Sequence, residues 1–231
     1  MLCCCSVSEE PNKLESVPVN AGKDTTDVFE EQKLSSLPAP AEPASETKTE
    51  DGPFTVELDK GSGSFGLSLD YEVKDRVTPD VKDRCLVLSV NGGAVAEWNT
   101  KNPDKLLQVG DCIMAVNGTT GSSESLFEAV KKADKVTLTV QHPKELKVPV
   151  GQGGRLMGMD IDYADTSVGL IVKQVKAGPV KDWSASSGAA VQAGDRITQV
   201  NNRGQGNADL LQQLKTADGE LTLTILSWPS V

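Results

Sequence analysis

The feature that most constrains this chain is an internal repeat of roughly 85–90 residues. Four blocks recur in the same order: an apolar-Gly-apolar step, a segment ending in Trp, a Gly-Asp turn with an apolar run, and a Thr-x-Thr strand. The first copy has them at residues 65–71, 90–98, 109–117 and 137–140, and the second at residues 157–163, 175–183, 193–201 and 222–225. An ordered repeat of this length predicts two homologous domains rather than one large one.

Hydrophobic periodicity predicts several short strands and one main helix in each copy. In the first copy, the predicted strands are 54–58, 67–69, 86–90, 111–117 and 136–140, and the predicted helices are 93–98 and 123–133. The main helix of the second copy begins near Asn207. We expect a mostly β fold with α: a small antiparallel barrel or sandwich with one major and one short helix, in two copies.

Composition changes along the chain and predicts five parts. Residues 1–52 are rich in Pro, Ser, Thr, Glu and Lys, a composition that buries too little apolar surface to fold, so we expect a disordered acidic tail. The first domain covers 53–141, a short linker covers 142–145, the second domain covers 146–228, and 229–231 end the chain. Cys85 and Cys112 lie within the first domain and are expected to be structural thiols.

The glycine-rich stretch 61–66 allows three interpretations. Its G-x-G-x-x-G spacing matches the dinucleotide fingerprint, but that loop opens a helix, whereas an alternating segment follows here. A kinase glycine loop would need a catalytic loop and an Asp-Phe-Gly motif downstream, and neither follows. In register with Gly158, the second copy has Arg155 where the first has Gly63, so the copies do not share the spacing. They share a glycine step into a strand, which favours a loop whose N–H groups face a carboxylate.

The two copies resemble PDZ domains. The resemblance rests on residues 64–67 and 110–118 in the first copy and on 156–159 and 194–201 in the second, and it covers about 53–228. It implies that each copy binds the free C-terminal end of a partner protein. The peptide would add as a strand between the second strand and the main helix, and its carboxylate would meet the loop amides.

The resemblance also implies the site residues. The carboxylate loops are Phe65, Gly66 and Leu67 in the first copy and Met157, Gly158 and Met159 in the second. The grooves are lined by Leu69, Ser123, Phe127 and Val130 in the first copy and by Ile161, Asn207, Leu211 and Leu214 in the second. Lys60 and Arg155 precede the loops, where their charges would favour a carboxylate.

The chain departs from the common PDZ pattern at the start of the main helix. The commonest subclass has a histidine there, and this chain has Ser123 and Asn207, each able to bond a ligand or to cap its helix. Phe127 is large for its position and narrows the first pocket. The ligand class stays open at this point.

These observations predict a non-catalytic scaffold or adaptor, cytoplasmic or held at the cytosolic face of a membrane. No catalytic triad or metal cluster is apparent, and no cofactor is expected. A net charge of −10 argues against a nucleic-acid partner, because phosphate binding needs clustered Lys and Arg. Two alternatives remain: a membrane-surface module anchored by S-acylation, and a degenerate PDZ pair that binds internal segments or each other.

The N-terminal cluster Cys3, Cys4 and Cys5 is the candidate lipidation site. Leu2 excludes N-myristoylation, whereas several S-acyl chains together would hold the protein on a membrane. Replacing all three cysteines with serine should abolish palmitate labelling and membrane association in cells. Equal labelling of the wild type and the triple variant would contradict the prediction and would leave three free thiols.

Overall fold

The computed structural model describes residues 52–71, 81, 83–151, 157–164, 166–204, 206–216 and 219–229. The predicted tail up to residue 51, including Cys3, Cys4 and Cys5, lies outside the described residues, as does Arg155. No helix in the described part is long and apolar enough to cross a bilayer.

The first copy is a five-stranded antiparallel sheet with two helices. Its elements are β1 (Phe54–Asp59), β2 (Leu67–Tyr71), β3 (Cys85–Val90), α1 (Gly93–Lys101), β4 (Cys112–Val116), α2 (Ser123–Lys132) and β5 (Lys135–Gln141). The strand order is β1-β5-β4-β3-β2. The strand β2 therefore lies at the sheet edge and pairs with β3 alone, with a register shift between Ser68 and Leu69.

The second copy repeats this arrangement. Its elements are β6 (Lys144–Val150), β7 (Met159–Asp162), β8 (Leu170–Val175), α3 (Pro179–Ser187), β9 (Arg196–Val200), α4 (Asn207–Thr216) and β10 (Leu221–Ser227). The order β6-β10-β9-β8-β7 matches the first sheet strand for strand. The predicted fold class, two small antiparallel β units each with a major and a shorter helix, is confirmed.

The main helix of the first copy begins with a side-chain cap. Ser122 is the N-cap, and its hydroxyl accepts a hydrogen bond from the N–H of Ser125 at 3.2 Å. Glu124 lies in the first turn and lysines lie in the last turn, which suits the helix dipole at both ends. Leu126 and Val130 point into the core, because residues four apart share a helix face.

Each copy has its own hydrophobic core, and a third cluster joins the two. The buried members of the third cluster are Leu86, Cys112, Val168 and Trp228. One carboxylate crosses the same boundary: Asp70 Oδ2 of β2 accepts a hydrogen bond from the N–H of Val168 at 2.9 Å. At the same boundary, the guanidinium of Arg84 in the first copy lies 5.2 Å from the ring centroid of Trp228 in the second. The copies therefore pack against each other through apolar and polar contacts.

The connection between the copies is short and folds back on the first copy. The strand β5 ends at Gln141 and β6 begins at Lys144, so Lys144 and Glu145 of the predicted linker are strand residues. His142 Nδ1 lies 2.7 Å from Asp111 Oδ1, and the imidazole packs 4.5 Å from the Phe54 ring. These contacts hold the connection in place.

The two free thiols of the described residues are buried. Burial raises the pKa of Cys85 to about 12 and that of Cys112 to about 11, so both stay protonated at neutral pH. A protonated, inaccessible thiol is neither a nucleophile nor a metal ligand. Both cysteines behave as small apolar side chains, as the sequence predicts.

Each copy also buries the aspartate of its Gly-Asp turn. Asp111 Oδ2 accepts from the N–H of Gln108, and Asp195 Oδ2 accepts from the N–H of Gln192, both at 2.8 Å. Neither aspartate is exposed to solvent. Burial raises the pKa of each carboxyl to about 6, since the charged form loses its hydration.

The raised pKa of Asp195 predicts a pH-dependent stability. Its pKa is near 3.8 when unfolded and about 6 when folded, so this group stabilises the fold below pH 4. That contribution is lost as the pH rises through about 6. Asp195→Asn should therefore flatten the fall in unfolding free energy between pH 4 and pH 7 by on the order of 2 kcal/mol. Denaturant titrations at several pH values measure this, and parallel profiles for wild type and variant would contradict it.

Candidate functional site

The loop before β2 is held by the first turn of α1. Helix α1 begins after Gly92 without a side-chain cap, which leaves its first N–H groups without helical partners. The carbonyl oxygen of Ser64 accepts from the N–H of Ala94 at 3.2 Å, and that of Phe65 accepts from Val95 at 3.0 Å. The loop therefore serves as the cap of the helix.

Gly66 continues this contact in a conformation that suits glycine. Its carbonyl oxygen accepts from the N–H of Asn91 at 2.7 Å, and its φ is +73°. A Cβ at this position would lie 1.8 Å from the carbonyl oxygen of Gly92. The close approach of the two backbone segments therefore requires glycine.

The direction of these carbonyl groups determines the direction of the neighbouring amides. In a trans peptide unit, the C=O of one residue and the N–H of the next point to opposite sides. The carbonyls of Ser64 and Phe65 point toward α1, and that of Gly66 points toward Asn91 just before it. The N–H groups of Phe65, Gly66 and Leu67 therefore point away from these partners. Among the described residues, Phe65 and Gly66 donate no backbone hydrogen bond. These amides are available to an acceptor outside the loop.

The same loop lines a cavity of about 510 Å³ between β2 and α2. Six residues that the resemblance assigns to the first groove line this cavity: Phe65, Gly66, Leu67, Leu69, Phe127 and Val130. Phe65 and Val130 are also buried members of the core, so the cavity floor is apolar.

Two lysines border the cavity. Lys60 Nζ lies 5.8 Å from the Phe65 ring centroid and pairs with Asp134 at 2.9 Å. Lys131 also lines the cavity, with its Nζ 5.7 Å from the Phe127 ring centroid. Lys131 also pairs with Glu128 at 3.4 Å, so both lysines have an acidic partner, and the free loop amides are the groups that favour an anion at this end of the groove.

Ser123 does not line the cavity. It is the first residue of α2 and is 2% exposed, and its N–H donates to Asp83 Oδ2 at 2.9 Å. Its hydroxyl has no hydrogen-bond partner among the described residues. Of the two roles open to Ser123, that of helix cap is wrong, because Ser122 is the cap.

The second copy keeps the glycine step but changes the helix contact. Gly158 has φ +74°, and its carbonyl oxygen accepts from the N–H of Lys176 at 2.6 Å. Pro179 stands at the position of Ala94 and has no N–H, so the first of the two helix bonds has no counterpart. Residues 152–156 of this loop lie outside the described part.

The other residues assigned to the second groove pack on its core. Met157 and Leu214 are buried, and Met159, Ile161 and Leu211 are partly buried against the same cluster. Two lysines of β8 and its end pair with the acidic residues of β7: Lys173 with Asp162 at 3.7 Å and Lys176 with Asp160 at 2.6 Å.

Asn207 uses its side chain within the protein. It is the first residue of α4, and its amide donates to the carbonyl oxygens of Ala164 at 2.6 Å and Ser167 at 2.9 Å. The amide also lies 3.1 Å from Ser167 Oγ. These bonds tether the start of α4 to the β7–β8 connection, so both amide hydrogens are already engaged.

Tyr71 was not among the residues predicted for the site, although it is the last residue of β2. Its ring stacks on that of Phe127 with centroids 4.1 Å apart and an interplanar angle of 18°. The alternation Leu67, Leu69, Tyr71 places all three on one face of the strand, and this period is the signal that could have identified it.

Gly66 and Gly118 have nearly the same φ, so substitutions at the two positions distinguish backbone strain from a clash between two backbone segments. Gly66→Ala and Gly118→Ala both force alanine to a φ near +75°, but a Cβ at Gly118 meets nothing within 4 Å. We expect Gly66→Ala to lower the unfolding free energy by about 2 kcal/mol more than Gly118→Ala, because it must also separate two backbone segments. Chemical denaturation measures both, and equal losses would contradict the close contact.

The chain was compared with known proteins. No family profile matches it, and no curated protein matches it. Among solved structures, it is similar to INAD PDZ45 in complex with NG2 peptide, with 22% identity, a TM-score of 0.34, and coverage of 82% of this chain and 97% of that one. It is also similar to INAD PDZ45 with NORPA CC-PBM at 19% identity and a TM-score of 0.34, covering 81% and 98%. Dlg1 PDZ2 of the choanoflagellate Monosiga brevicollis gives 23% identity and a TM-score of 0.32, covering 39% and 99%. The strand order and the paired helices of each copy describe two similar β-rich units in tandem.

Proposed function

We propose that this chain is a non-catalytic adaptor whose first PDZ-like copy binds the free C-terminal end of a partner protein. The observation that carries the proposal is the set of loop amides at Phe65, Gly66 and Leu67, which face away from α1 at the head of an edge strand. An extended peptide would pair with the open edge of β2, and its carboxylate would accept from these amides.

The cavity supplies the second half of the recognition. The cavity has a volume of about 510 Å³, and its apolar floor suits the side chain of a terminal aliphatic residue. Lys60 and Lys131 line the same cavity, each paired with an acidic residue, and the loop amides supply the donors for the carboxylate. One end of the groove is thus suited to an anion and the floor to an apolar group, the two features of a free C-terminus.

The second copy is proposed to bind in the same way through Gly158. Two grooves on copies that pack together would bind a two-tailed partner with raised effective concentration. The N-terminal cysteine cluster would add membrane attachment to the same adaptor.

The carboxylate gives the sharpest test. The probe is a pool of octapeptides with a C-terminal valine and random upstream residues, prepared with free and with amidated ends. In titrations of the full ¹⁵N-labelled chain, the free-acid pool should shift the amide signals of Gly66 and Gly158. Amidation should weaken binding by about tenfold to a hundredfold, since hydrogen bonds to a charged group contribute about 1.5–3 kcal/mol.

Equal binding of the two pools would contradict the carboxylate role. It would favour the alternative in which the copies bind internal segments. Shifts confined to residues away from both glycines would contradict the placement of the site.

A further inference from the structure

The first groove is crossed by an aromatic pair at the point where its cavity ends. Tyr71, from β2, and Phe127, from α2, stack with ring centroids 4.1 Å apart, so their side chains bridge the two walls of the groove. The cavity is lined by Phe127 on one side and by residues up to Leu69 of β2, and Tyr71 is not part of its lining. The apolar cavity therefore stops at the stack.

Both rings are held from outside the pair. Lys131 Nζ lies 5.7 Å from the Phe127 ring centroid, a cation–π distance that favours the observed ring position. Tyr71 follows Asp70, whose carboxylate accepts from Val168 of the second copy at 2.9 Å and lies 3.9 Å from Arg196 Nη2. The second copy thus anchors the end of the strand that carries Tyr71.

The buried state of Ser123 agrees with a closed groove. Ser123 lies one helical turn before Phe127 on α2, and only 2% of its surface is exposed. Ser123 and Phe127 are four residues apart and share one face of the helix.

We propose, resting on the function proposed above, that the Tyr71–Phe127 stack closes the first groove beyond its terminal pocket and limits this groove to the last residues of a ligand. An added strand advances by about 3.3 Å per residue, so the final two or three residues of the peptide extend from Leu67 to Leu69. Residues further upstream meet the aromatic pair instead of an open groove.

The second copy provides a natural comparison. In the aligned helices, Leu211 of α4 stands at the position of Phe127. The tyrosine of the second copy, Tyr163, follows the end of β7 and is 39% exposed. A leucine cannot form the aromatic stack, so the second groove reads a longer segment of its ligand. The two grooves of one chain thus differ in the number of ligand residues that they contact.

Peptide length tests the proposal. The probes are pools of tetrapeptides and octapeptides, both with a free C-terminal valine and random upstream residues. They are titrated into the full ¹⁵N-labelled chain, with the Gly66 and Gly158 amides reporting the two grooves separately. In the wild type, the Gly66 groove should bind both pools within about twofold, whereas the Gly158 groove should bind octapeptides about tenfold more tightly through its added main-chain hydrogen bonds.

Phe127→Leu gives the first groove the leucine that the second groove has at the matching position. Because Phe127 also lines the terminal pocket, the readout is the ratio of octapeptide to tetrapeptide affinity within each variant, and this ratio at the Gly66 groove should rise about tenfold over the wild type. Tyr71→Ser should produce the same gain from the other wall. The double variant should gain no more than either single one, because both remove one shared contact. A purely structural role for the pair would lower the stability of the variants without making their binding depend on peptide length.

Several results would overturn the proposal. If the affinity of the wild-type Gly66 groove already rises from tetrapeptides to octapeptides as much as in Phe127→Leu, the stack does not limit the length of the bound ligand. Absence of nuclear Overhauser contacts between the two rings in the free protein would remove the stack itself. Tetrapeptide and octapeptide binding at neither glycine would overturn the proposed function and this inference together, whereas binding at Gly66 without any length effect of the variants would overturn this inference alone.

Discussion

The hydrogen bonds between the loop at residues 64–66 and the start of α1 are the interaction on which the first groove depends. Helix α1 has no side-chain cap, and its first amides bond the carbonyls of Ser64 and Phe65. One set of bonds therefore does two things: it completes the helix and turns the opposite amides of the loop outward. Gly66 allows this arrangement, because any Cβ there would collide with the backbone of Gly92.

The second copy shows what happens when one part of this arrangement changes. Pro179 begins α3 where Ala94 stands in α1, and a proline cannot donate to the loop. The glycine step at Gly158 is nevertheless kept, with nearly the same φ as Gly66. The repeat thus retains the backbone geometry of the loop, while the side chains around each groove have diverged.

The contact between the two copies also holds one wall of the first groove. A shared apolar cluster that includes Trp228 joins them, and Asp70 of β2 bonds the backbone of Val168. The strand that forms one wall of the first groove is therefore held by the second copy. The start of α4, a wall of the second groove, is held in turn by the bond from Asn207 to Ser167, the neighbour of Val168. The strand β2 and the start of α4 are thus both bonded to the β7–β8 connection, at Val168 and Ser167.

Much of the fold follows from the sequence because its signals are local or repeated. The alternation of apolar residues defines the strands, the apolar stripe of α2 defines its buried face, and the Gly-Asp motifs mark the turns before β4 and β9. The repeat adds a second sample of each signal. The recurrence of Gly66 as Gly158 singles out this glycine from the sequence, whereas its close contact with the backbone of Gly92 is seen only in the structure.

The sequence by itself determined two homologous β-rich units, their main helices, and the loop glycines at the head of each edge strand. Only the tertiary structure decided that Tyr71 meets Phe127, that the Asn207 amide bonds the β7–β8 connection, and that Ser123 is buried. These contacts join residues far apart in the chain, and they depend on ring orientation and on how two elements approach each other. Neither quantity is encoded in periodicity, so these contacts follow only from the packed molecule.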